Sequence, residues 1–232
     1  MKNQLKIKQG KTELTASHNG RDLTFMHPNY GPNTYANVRA DIEKDNLRTA
    51  TMAETASLVQ GAFNSSDKYS EEIKGLMKDR YLWAFTGTLY VPNKGAYIQD
   101  APETRNGMPF MDESDLIKRL ESGDSSVRHV PFGYKTESMS PLELGKNPYV
   151  IALAGEEGAE KLAQVADKHK RQPSYLRSFE SVSEPLTRVS TLSSGWGLGG
   201  GLYVGGVSLG DGRSGCAFGV QDKTGEASRT EE

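Results

Sequence analysis

The chain holds one cysteine, Cys216, among its 232 residues. No intramolecular disulfide framework can form, and packing alone must hold the fold. Histidine is nearly as scarce. His18, His27, His129 and His169 nowhere fall at the i, i+4 spacing that sets two ligands on one helix face. The acid-rich stretch from Asp41 to Asn46 lacks the glycine and the terminal glutamate of a calcium loop. No metal site and no cofactor is indicated. Basic residues are not clustered either. The net charge is −2, and the densest basic run, 167–172, falls where a helix is expected to end, so it complements the helix dipole. Nucleic acid is therefore not an indicated partner. No stretch approaches the ~18 apolar residues that span a bilayer, and the first residues lack the apolar core of a secretory signal. The expectation is a cytoplasmic protein that does not enter the membrane.

The residues present are those of a globular chain. Charged residues make up 25% and apolar ones 35%, and ten Tyr, seven Phe and two Trp supply core material. A chain this long buries roughly 70% of its unfolded surface. Strand patterns open the sequence: "QLKIKQGKTELTAS" alternates around Gly10, and "DLTFM" follows the turn signal "HNG". "HPNYGPNTYANV" is dense in Pro, Gly and Asn and reads as a loop. Thr51 and Glu54 form a capping box ahead of Met52, Ala56, Val59 and Phe63, which share one helical face. A second helix is expected from Ser70 and another from Asp112, the latter stopping at Gly123. Between them "YLWAFTGTLYVPNKGAYIQD" reads as a hairpin turning at Pro92–Gly95. "SVRHV" precedes Pro131, which assigns it to a sheet edge or a bend. "NPYVIALAGEEGAEKLAQVADKH" reads as a buried strand, a turn at Gly155, and a helix. Short strands fill the C-terminal third.

These elements predict an α+β class: one compact domain over residues 1–222, with a mixed, largely antiparallel sheet, several hairpins and about four helices. A weak lobe boundary is placed near 138–148, and the tail 223–232, without large apolar residues, is expected to fray.

Catalytic motifs are missing. Gly195, Gly197 and Gly200 match G-x-G-x-x-G, but strand patterns follow where a helix is required, so a bulged glycine-rich hairpin is the better reading. No serine sits in a nucleophile elbow, and Cys216 alternates with Phe218 and Val220 as a buried hydrophobe would.

Two functional readings remain. The first is a non-catalytic binding or interaction protein. It would use Tyr30, Asn33 and Tyr35 of the Tyr/Asn-rich loop, Trp196 among the glycines, and exposed strand edges. Its partner would be a small ligand or a protein, and exposed edges admit a homo-oligomer. The second is a hydrolase or transferase with His129, Glu156 or Glu157 as base and Arg188 steering an anionic substrate. That reading requires these groups to converge in one concavity.

Overall fold

The computed structural model describes residues 6–8, 11–169, 173–195 and 201–221. Strand β1 (Lys6–Lys8) pairs antiparallel with β2 (Lys11–His18), which turns through Asn19 and Gly20 into β3 (Arg21–Asn33). Both turn residues have positive φ, 49° and 73°, the geometry of a two-residue hairpin. Helix α1 (Tyr35–Lys44), the short β4 (Arg48–Thr49), α2 (Met52–Phe63) and α3 (Lys68–Asp79) follow. Strands β5 (Tyr81–Val91) and β6 (Gly95–Asp100) form the expected hairpin. A small ribbon, β7 (Thr104–Arg105) with β8 (Met108–Pro109), leads to α4 (Glu113–Glu121) and β9 (Val127–Val130). Next come β10 (Glu137–Met139), α5 (Pro141–Gly145) and α6 (Pro148–Lys168). The chain closes with β11 (Ser174–Arg177), β12 (Leu186–Ser194), β13 (Leu202–Ser208) and β14 (Gly215–Gln221).

One twelve-stranded sheet organises the described residues, in the order β1-β2-β3-β14-β5-β12-β13-β11-β10, with β4 pairing on β14 and β6 and β9 extending from the far half of β5. Only β14–β5 and β11–β13 pair parallel, so the sheet is mixed and largely antiparallel. Five helices of seven or more residues accompany it, against the four expected.

The sheet has two differently dressed faces. On the inner face Phe25, Leu82, Ala84, Leu192, Val204 and Val220 join Met52, Ala56 and Val59 of α2 and Leu153 and Leu162 of α6 in the main core. On the outer face Tyr35, Val38 and Ile42 of α1 cover Trp83, Phe85, Val189 and Ala217. Farther along that face, Leu116 of α4 and Met111 cover Leu89 and Val91.

Two readings of the sequence are corrected. Residues 148–168 are helical throughout except at Gly155 (φ 71°, ψ 170°), so the apolar run Tyr149–Leu153 is not a strand. A short apolar run fits either element, and the start signal decides it. Asn147 accepts from the N–H groups of Tyr149 and Val150, and Pro148 occupies the first turn. The second correction concerns "HPNYGPNTYANV", which is no loop: β3 runs through it to Asn33 and α1 begins at Tyr35. The prolines are tolerated because β3 bulges against β14. Met26, Tyr30 and Asn33 pair with Gly219, Ala217 and Gly215, which leaves Pro28 and Pro32 at unpaired positions.

The other elements follow their local signals. Thr51 and Glu54 complete both halves of the capping box, Asp112 caps α4, and β9 pairs with β6 alone. The helix expected from Ser70 starts two residues earlier, capped by Asp67. The glycine-rich run crosses 196–200, outside the described residues. On either side β12 and β13 pair antiparallel, whereas β14 departs to lie between β3 and β5.

Candidate functional site

Among the described residues, the outer face loses its cover beyond β12. Successive side chains on a strand alternate between faces. Because Leu192, Val204 and Leu176 point into the main core, their neighbours point outward. Register aligns those neighbours in rows. Thr191 stands opposite Gly205, which stands beside Arg177, and Ser193 stands opposite Tyr203, which stands beside Tyr175. Beyond Tyr175 the edge strand β10 adds Ser138.

This row has a floor and a rim. Thr191 and Ser193 are 8% and 7% exposed, whereas Tyr175 and Tyr203 are half-buried and Arg177 is exposed. Gly205 lets the Tyr203 ring lie down along the strand: a methyl group there would meet Tyr203 Cε1 at 3.3 Å and Thr191 Oγ1 at 2.5 Å. The result is a flat aromatic plate with a hydroxyl at its tip. The Arg177 guanidinium stands 6.0 Å from the Tyr203 ring centre. Burial raises the Tyr203 pKa above its ordinary value, so the phenol keeps its proton and can donate at neutral pH. An aromatic plate, a cation hydrogen-bonded to its tip and hydroxyl donors bind groups with an apolar face and a polar or anionic rim.

Comparison with solved structures supports this view of the architecture. A chain described as "Accommodation of massive sequence variation in Nanoarchaeota by the C-type lectin fold" superposes with a TM-score of 0.57, covering 88% of this chain and 100% of its own, at 14% identity. The architecture is a C-type lectin-like fold. No family model and no curated protein matches the sequence.

Within this C-type lectin-like fold the residues picked out from sequence scatter. His129 lies on the edge strand β9, its ring against Tyr97, with Nε2 3.1 Å from the Lys94 carbonyl. Glu157 accepts from the Asn19 backbone N–H at 2.8 Å and pairs with Lys161, while Glu156 is exposed. The Lys161 hydrogen bond holds the Glu157 carboxyl below its ordinary pKa, which suits an ion pair and not a base. Arg188 donates to the Thr187 carbonyl and stands 5.7 Å from the Phe179 ring. Among the described residues His129, Glu157 and Arg188 share no partner.

Residues of the supposed loop also separate. Tyr35 is fully buried on α1, packed on Trp83 and Phe85, and Asn33 accepts from Thr34 N–H and the Asn37 amide. Tyr30 alone reaches a surface cleft, through Lys11 and Asp45. Trp196 lies outside the described residues. Cys216 is fully buried, and burial raises its thiol pKa, so it is a core residue.

Tyr175, Arg177 and Tyr203 were not picked out from sequence. Their signal was present as alternation in "SYLR" and "LYVGG", which places each tyrosine opposite the core-facing leucine and valine. Nothing local revealed the parallel pairing that sets the tyrosines side by side. Among the described residues, no three His, Cys, Asp or Glu side chains converge as metal ligands.

Proposed function

We propose that the protein is a binding module that presents the outer face of β12, β13 and β11 to a small ligand or protein partner. The observation that carries this reading is the lapse in cover among the described residues: helices, loops and the β7–β8 ribbon sit on the outer face from β3 to β5, while Tyr175, Arg177 and Tyr203 stay accessible over a floor of small residues. The edge strand β10 borders this surface and adds backbone groups for an extended segment. The superposed chain's description, sequence variation accommodated by the C-type lectin fold, fits a scaffold whose surface can be re-dressed while its core is kept.

Glycan and peptide arrays probed with the full chain test the reading. Wild-type hits should disappear in the double variant Tyr203→Ala, Arg177→Ala, whose thermal midpoint stays within a few degrees because both side chains are outside the core. Hits retained by that variant, or no hits on either array, would sink the proposal.

A further inference from the structure

At the other end of the outer face, a cleft of 410 Å³ opens between β2, β3, the end of β14 and the turn after α1. That volume lies in the range of small-molecule sites. Its floor is apolar. Met26 is 6% exposed, and Leu47 reaches across to the backbone of Gly219. One wall is a settled charge cluster: Lys11 Nζ donates to Asp45 and, at 2.7 Å, to the Tyr30 hydroxyl, which donates to Asp45 at 2.5 Å. The hydrogen bonds from Lys11 and then Tyr30 hold the Asp45 carboxyl below its ordinary pKa. Both members of that ion pair are therefore spent on each other.

The rest of the polar lining is different. It carries the Lys44 ammonium and the amides of Asn46 and Gln221, and among the described residues none of these side chains has a hydrogen-bond or ion-pair partner. The negative end of α1 opposes an anion less than a bare helix end would, because the Ile42 and Glu43 carbonyls accept from the N–H groups of Asp45, Asn46 and Leu47. Two ammonium groups against one carboxylate leave the lining with a single net positive charge.

We infer that this cleft is a second binding site, separate from the tyrosine–arginine surface, for a small organic carboxylate whose head meets Lys44, Asn46 and Gln221 and whose apolar body lies on Met26 and Leu47. A monoanion matches the single net charge, whereas a phosphate dianion would meet the Asp45 carboxylate with two charges of its own. An apolar body gains from covering Met26 and Leu47.

Titration of the full chain with hexanoate and benzoate, followed by backbone amide NMR, tests the site. The carboxylates should shift the amides of residues 44–47 and Gln221 and bind at least about tenfold tighter than hexanamide and benzamide. Lys44→Gln should erase that preference. Asp45→Asn frees Lys11 and should tighten binding several-fold, an effect that a purely structural role of Asp45 would not produce. The inference is overturned by equal binding of acids and amides, by unchanged affinity in Lys44→Gln, by no cleft shifts at millimolar ligand, or by phenyl phosphate binding tighter than benzoate.

Discussion

A methyl group added at Gly206 would land 2.0 Å from the Tyr149 hydroxyl and 3.1 Å from that of Tyr90. Those phenols form a buried chain of hydrogen bonds: Tyr149 to Tyr90 at 2.8 Å, and Tyr90 to the Gly206 carbonyl at 2.8 Å and to Ser178 at 3.0 Å. Gly206→Ala must push both rings aside, and should destabilise by about 1–3 kcal/mol in urea unfolding. Gly61 gives the opposite sign. It lies inside α2 with nothing within 4 Å of its added methyl, so Gly61→Ala should stabilise by roughly 0.5–1 kcal/mol. If both changes move the urea midpoint the same way, packing is not what separates these glycines. His18 sets a pH response at the same scale. It is 7% exposed, with Nδ1 3.0 Å from Ser57 Oγ and Nε2 3.1 Å from the Asn19 amide nitrogen. That amide only donates, so Nε2 accepts and the ring proton sits on Nδ1. Around it stand Glu54, Lys161, Glu157 and Arg21; burial is the leading cause that lowers its pKa below 6.5. The unfolded chain then binds a proton before the folded one does. Stability from neutral His18 is complete above about pH 6.5 and is lost as pH falls from there towards the lowered folded value. Between about pH 7.5 and 5.5 the wild type should lose more stability than His18→Gln, and equal losses would refute the assignment.

At the scale of elements, what could be read from the sequence was what is settled locally. The capping box of α2, the cap of α4 and the β5–β6 turn each lie within a few residues, and each formed as expected. The path of β3 was not legible because its bulges exist only against β14, a strand nearly two hundred residues later. The tyrosine–arginine surface was hidden for the same reason, since β11 and β13 become neighbours only in the assembled sheet. Helix α6 shows the intermediate case. Its Gly155 was read as a turn, and it does break the helix, but the segment before it is helical because Asn147 and Pro148 start it. At φ 71° and ψ 170° the backbone there is in a region open essentially to glycine alone. Gly155→Ala should therefore cost about 1–3 kcal/mol, even though no neighbouring atom opposes the methyl group. Hydrogen exchange should locate the loss at the junction of the two helical segments; a variant as stable as wild type would show that the kink is not held by that backbone.

For the whole molecule the decisive strand is the last one. Among the described pairings β14 alone joins the β1-β2-β3 side of the sheet to β5 and everything beyond it. It does so with Val220 opposite Phe25 and with Cys216 beside Leu82, all of them in the main core. The sheet can close only after the C-terminal strand has inserted between two strands from the first half of the chain, so loop closure over a long separation precedes the reward in contacts. Val220 is fully buried, and Val220→Ala should cost about 2–3 kcal/mol by removing core methyl groups. The test is where the loss appears. If residues up to 222 fold as one cooperative unit, amides of β2–β3 and of β12–β13 should lose exchange protection by the same factor, although only the first pair lies near the substitution. Protection lost in β2–β3 but kept in β12–β13 would divide the chain into two units meeting at β14.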